Sequence, residues 1–144
     1  MAFEKTCKRI IVVSAALFTS VCVAQAEDNT PKETYLHYRT ALLSAKSIDD
    51  VRSMLSKRTN DEIESTPKEM KSMMFDVIKA MAPKTVQVLA EEVNADNATL
   101  TLTAKTEPDN AKVTEKTTGT VTLVKEGGSW KIDREKWNTK IEAR

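Results

Sequence analysis

The chain has 144 residues, 40% apolar and 30% charged, with 22 Lys plus Arg against 21 Asp plus Glu. So neutral a balance gives no electrostatic case for nucleic acid or an anionic membrane surface as a partner. The charges are interspersed, no low-complexity tract or solenoid repeat interrupts them, and the length suits one domain around one core.

The N-terminus opens with "MAFEKTCKR", continues with the apolar run "IIVVSAALFTSVCVA" and reaches Ala24-Gln25-Ala26. A basic start, an apolar stretch and small residues before a cut predict a secretory signal peptide over 1–26, cleaved after Ala26. The run falls short of the roughly 20 residues a spanning helix needs. Cys22 follows Val21 rather than a small residue, which argues against a lipid anchor. Cleavage leaves a single domain over 27–144 with 118 residues, a net charge of −1 and no cysteine. Such a domain relies on its core without disulfides. The expected destination is the periplasm or the exterior, with no stable membrane insertion once the leader is gone.

Helices come first. "TPKE" occurs at 30–33 and again at 66–69. Each copy places Thr at an N-cap, Pro at the first helical position and Glu where it can reach back to the cap. After Thr30, the residues Tyr35, Tyr38, Leu42 and Leu43 share one helical side, with Leu36 at its margin. Ser47 starts a second helix that turns Ile48, Val51 and Leu55 inward. "TNDEIES" reads as a polar turn or a short helix. After Thr66, the residues Met70, Met73, Met74, Val77, Ile78 and Met81 recur at helical spacing, up to a stop near Pro83.

The period then changes to two. "TVQVLAEEV" (85–93) alternates through Val86 and Val88, then shifts towards Leu89 and Val93 as a bulge would make it do. "ATLTLTA" (98–104) sets Leu100 and Leu102 on one face and threonines on the other. "NADNA" forms the turn between these strands. "EPDNA" (107–111) leads into a third strand, best in "GTVTLV" (119–124), and Gly127-Gly128 turns it into "SWKID". Trp130 and Ile132 share a face, which predicts Trp130 as a core anchor. Helices followed by strands give α+β: N-terminal helices packed on a curved antiparallel sheet.

Three helices and then strands closing on "VTLVKEGGSWKID" resemble the NTF2-like (cystatin-like) superfamily, and within it the small exported bacterial domains of unknown function. The resemblance covers residues 30 to 137. It implies a cone of helices and sheet around an apolar cavity, with the tryptophan packed on the sheet. Periodicity alone would also permit a solid core.

Enzymes of that fold, the ketosteroid isomerase-like and polyketide cyclase-like members, place an Asp or His inside the cone. Here the one histidine, His37, shares a polar helix side with Thr40 and Ser44, as a solvated side chain does. No metal-ligand spacing and no Ser-His-Asp or Cys-His set accompanies it. Asp76, Glu91, Glu92 and Asp133 read as surface carboxylates, although the strand register decides whether Glu92 or Asp133 points inward. No catalytic residue, metal or cofactor is expected.

The methionines are the more distinctive feature, because unbranched thioethers adapt to irregular apolar ligands as well as to cores. Met70, Met73, Met74 and Met81, together with Tyr35, are therefore the candidate ligand-binding residues. The function expected is an exported, non-enzymatic domain that binds an apolar or amphipathic small molecule. A protein–protein module is the alternative, with Trp137, beyond the last alternating residue, as its best exposed aromatic. An isomerase- or cyclase-type enzyme is the second alternative. Sheet-to-sheet dimers are common in similar proteins, so a homodimer is among the expected states.

Overall fold

Thr30 and Glu33 begin the first helix by reciprocal capping. The Glu33 amide donates to Thr30 Oγ1 at 3.2 Å, and the Thr30 amide donates to Glu33 Oε2 at 2.9 Å. Two amides that open a helix without partners are thereby satisfied. The computed structural model describes residues 29–104 and 113–143, so the expected leader, its cleavage site and the "EPDNA" turn lie outside the described residues. Helix α1 spans Pro31–Ser44, a 3₁₀ segment spans Ile48–Met54, and α2 and α3 span Lys57–Ser65 and Lys68–Met81.

On α1 the buried stripe is Tyr35, Tyr38 and Leu42, joined by Arg39, whereas Leu36 and Leu43 are each 39% exposed. Leu43 therefore leaves the stripe that its spacing suggested, and Arg39 enters it. Ile48, Val51 and Leu55 are buried as expected. The second "TPKE" does something different from the first. Thr66 closes α2, its hydroxyl donating to the Glu62 carbonyl at 3.0 Å, and α3 starts after Pro67 with no side-chain cap.

Helix α3 is rotated from the face its methionines suggested. Phe75 is its buried anchor at 3% exposure, while Met70, Met73, Val77 and Met81 stand 50–78% exposed. Phe75 carries the largest apolar surface on the helix, and it sits about 100° round from Met74. Lys79 fixes that rotation. Its ammonium donates to the Ala45 carbonyl at the end of α1 at 2.5 Å and lies 5.9 Å from the Phe75 ring centre. No helix among the described residues is long and apolar enough to cross a membrane.

The strands β1 (Val86–Asn94), β2 (Asn97–Ala104), β3 (Val113–Glu126) and β4 (Ser129–Ala143) form one curved antiparallel sheet in the order β1-β2-β3-β4. Gly127 and Gly128 join β3 to β4 with φ of +59° and +84°, the two left-handed positions that a tight hairpin requires. Ala98, Leu100 and Leu102 of β2, Val121 and Leu123 of β3, and Ile132 of β4 form the buried sheet face against Tyr35, Tyr38, Leu42, Val51, Leu55, Ile63 and Phe75. Trp130 packs at the margin of this core, half-buried, with Lys125 Nζ 5.9 Å from its ring centre. It is an edge residue of the core.

Two bulges break the alternation. The first falls between Val88 and Ala90 in β1, where the sequence shifts phase. The second lies in β4, where Leu123 faces Ile132 but Thr122 faces Arg134, leaving Asp133 as the extra residue. Trp137, expected beyond the last strand, lies well inside β4 and packs against the core.

A partly buried carboxylate in a half-open cavity

The bulge at Asp133 decides which β4 side chains face the helices. With straight pairing, residues two and four beyond Ile132 would be Arg134 and Lys136. The extra residue moves the phase by one, so Glu135 and Trp137 lie opposite Val121 and Gly119 on the core face. Helix α2 holds the bulge in place. Arg58 Nε and Nη2 each donate to the Asp133 carboxylate at 3.0 Å, and Ser56 Oγ donates to it at 2.8 Å. Thr59 Oγ1 donates to the Asp133 carbonyl at 2.7 Å. Burial pushes the Asp133 carboxyl up, but the Arg58 fork and the Ser56 hydroxyl outweigh it and hold the group below the usual carboxylate range.

Once turned inward, Glu135 gathers donors. Tyr35 donates its hydroxyl to Oε1 at 2.9 Å, Trp137 Nε1 donates to the same oxygen at 2.7 Å, and Arg39 Nη1 lies 3.7 Å away. Arg39 is itself almost wholly buried and donates through Nη2 to the Pro83 carbonyl, tying α1 to the end of α3. Burial pushes the Tyr35 and Tyr38 hydroxyls far above the ordinary phenol range; Glu135 adds to the rise and Arg39 opposes it. Both tyrosines are therefore neutral donors at physiological pH. The polar cluster is close to charge-neutral, with one carboxylate facing one guanidinium.

A half-open cavity of about 330 Å³ lies against this cluster, between α1, α3 and β4. Tyr38, Arg39, Glu135 and Trp137 form its polar side; Leu42, Val77, Ile78, Met81 and Ala82 form its apolar side. A second cavity of about 380 Å³ lies among the helices, lined by Ile48, Leu55, Ile63 and Met74, and shares Tyr38 and Ile78 with the first. Two half-open cavities thus flank the packed core, one against the sheet and one among the helices.

The structure distributes the five sequence-derived candidates widely. Met81 lines the first cavity and Met74 the second, while Tyr35 lies behind the first cavity as a donor to Glu135. Met70 and Met73 line neither and stand in solvent, on the far side of a helix that Phe75 turned. Among the carboxylates weighed from sequence, Asp76, Glu91 and Glu92 are exposed, and His37 is exposed as well. Glu91 Oε1 accepts the Lys32 amide at 3.1 Å, where a negative group suits the start of α1.

No protein family and no curated protein matches the chain at a significant level. Among solved structures it is similar to a Campylobacter jejuni protein provisionally described as an NTF2-like transpeptidase, at 18% identity and a TM-score of 0.46, over 74% of this chain and 99% of that one. It is also similar to an NTF2-like protein of unknown function from Shewanella baltica, at 15% identity and a TM-score of 0.41, over 78% of this chain and 98% of that one. A third is a SEC-C motif containing protein from Rhodopseudomonas palustris, at 17% identity and a TM-score of 0.36, over 71% and 90% of the two chains. Two of the three are NTF2-like, the kind of protein that the C-terminal hairpin resembles in sequence.

Glu135 and Arg39 are the site residues that sequence reading missed. Glu135 sits in "DREKW", where every second residue is charged whichever phase is chosen, so only the bulge assigns a face. One signal was present: Trp137 stands two residues on and shares its side of the strand. Arg39 adjoins Tyr38 on the edge of an aromatic stripe, where a charge ordinarily marks the solvent side.

Proposed function

We propose that the chain is exported, that its mature form over 27–144 is a non-enzymatic binding domain, and that it takes an apolar or amphipathic small molecule into the cavity between α1, α3 and β4. The observation that carries this reading is a half-open space with one apolar side and one fixed polar corner. Binding sites are commonly built in this way, with apolar walls for affinity and a few anchored polar groups for orientation. The leader-like N-terminus supports export.

Nile red, a neutral apolar dye, tests the binding step. The mature protein takes up the dye, and Ile78→Trp, which fills the space shared by the two cavities, suppresses uptake while far-UV circular dichroism stays unchanged. A wild-type protein that leaves the dye dark removes the reading. Intact mass of the exported protein tests processing, with a chain beginning at Glu27 and carrying no lipid as the expected result.

One observation favours a second reading, a partner-binding module. Met70, Met73, Val77 and Met81 form an exposed apolar stripe along α3, the kind of surface that packs against another protein. A second copy of the chain is the simplest occupant to test. Sedimentation equilibrium that finds a dimer, dissociated by Met73→Glu, would favour it.

A further inference from the structure

Hydrogen bonding around the cavity leaves two polar atoms unused. Tyr38 is 6% exposed, and its hydroxyl has no hydrogen-bond partner among the described residues. Both hydrogen-bond donors to Glu135 converge on Oε1, the oxygen that also lies 3.7 Å from Arg39 Nη1. Glu135 Oε2 has no donor among the described residues. No deeply enclosed side-chain oxygen or nitrogen lacks a partner. Both unused atoms must therefore touch open space, and both residues line the same cavity.

A hydroxyl and one arm of a carboxylate that open onto a cavity keep their hydrogen-bonding capacity for whatever occupies it. The two groups make different demands. Glu135 Oε2 is an acceptor that needs a donor, and the Tyr38 hydroxyl can donate to an acceptor. Arg39 already balances the charge of Glu135, so the corner has no net charge to offer an ion. A carboxylate ligand would meet Glu135, and an ammonium ligand would meet Arg39.

We infer that the cavity recognises a neutral lipophile carrying a hydroxyl group, whose oxygen accepts from Tyr38 and whose proton is donated to Glu135 Oε2. The inference rests on the binding reading above and adds the chemical class. An alcohol is a small neutral group that both donates and accepts, and so answers both atoms without adding charge. Its apolar body lies against Leu42, Val77, Ile78 and Met81.

Displacement of Nile red by 1-octanol and closely matched probes tests this on the mature protein. 1-Octanol should compete about tenfold better than 1-methoxyoctane, which keeps the tail and the acceptor but has no proton to give a charged acceptor. Octanoate and octylamine should compete more weakly than octanol. Tyr38→Phe, which removes a hydroxyl with no partner among the described residues, should weaken octanol several-fold. Nile red affinity is measured in the variant itself and used to convert competition into octanol affinity, so a change in dye binding does not enter the comparison. Equal competition by octanol and its ether overturns the inference, as does an octanol affinity that Tyr38→Phe leaves unchanged. Tighter binding of octanoate or octylamine overturns it too. Any of these outcomes leaves the binding reading standing while dye uptake persists; absence of dye uptake defeats both.

Discussion

Gly119 and Trp137 face each other across β3 and β4, and only glycine fits there. A β-carbon on Gly119 would stand 2.7 Å from both Cε3 and Cζ3 of the Trp137 ring. The indole therefore lies flat over the neighbouring strand, where its Nε1 reaches Glu135. Gly119→Ala should cost about 1–3 kcal/mol, as overpacking does, and should shift the tryptophan emission as Trp137 is displaced. Urea melts read by fluorescence give both values. The two buried tyrosines make a sharper comparison. Tyr35→Phe removes a donor from a partly buried carboxylate and should cost about 1.5–3 kcal/mol. Tyr38→Phe removes a hydroxyl bonded to nothing among the described residues and should cost less than about 0.5 kcal/mol. Equal losses in the two variants would show that Tyr38 has an internal partner.

At the level of single elements, α3 separates what spacing reveals from what it cannot. Helical periodicity located the helix and its end, since apolar residues at every third and fourth position need one buried side. It could not choose between the methionine arc and the neighbouring arc through Met74, Phe75 and Ile78. Ring size and the Lys79 contact to Ala45 settled that choice, and both are tertiary facts. Phe75→Ala should accordingly cost about 3–5 kcal/mol, and Met73→Ala less than about 0.5 kcal/mol. In β4 the same limit applies with more consequence. The hairpin was legible from its two glycines, and the length of the strand was not, because β3 extends the pairing from the other side. The cavity corner stayed hidden for the same reason, since an extra residue at Asp133 leaves no mark in a run of alternating charges.

Asp133 also carries a pH signature. Its folded-state pKa lies below the ordinary value, so the stability it contributes is fully present above about pH 4, the unfolded carboxylate range. That contribution is lost as the pH falls through the lowered folded value. The stability gap between wild type and Asp133→Asn should therefore be widest near neutrality and close in acid. Urea midpoints from pH 7 to pH 2 would show it. A gap that widens in acid would mean that the carboxyl is held up by burial instead.

Considered as a whole, the described residues are fastened without covalent ties. Both cysteines lie within the first 26 residues, so the melting temperature of a chain comprising residues 27–144 should be the same with and without reductant. Its helices are held to the sheet by the apolar core and by polar anchors, of which three bring cationic or backbone donors to β4: Arg58 on Asp133, Arg39 on Glu135, and the Ser56 amide on the Ile132 carbonyl at 2.8 Å. All three end on β4, the edge of the sheet. They cover part of a strand that would otherwise offer open backbone to another chain.

The bulge also separates control of the cavity from its walls. Arg134 and Lys136 now lie on the opposite face of the sheet, beside Thr120 and Thr122. If β4 paired straight through residue 133, those two cations would replace Glu135 and Trp137 against α1 and α3. Substitutions at Arg58, Ser56 or Thr59 that altered the reading frame of one strand would therefore change the charge that the cavity presents, from a distance. Helix α2 adds no side chain to the wall of the Glu135 cavity, yet it sets whether that cavity presents an acid or a base.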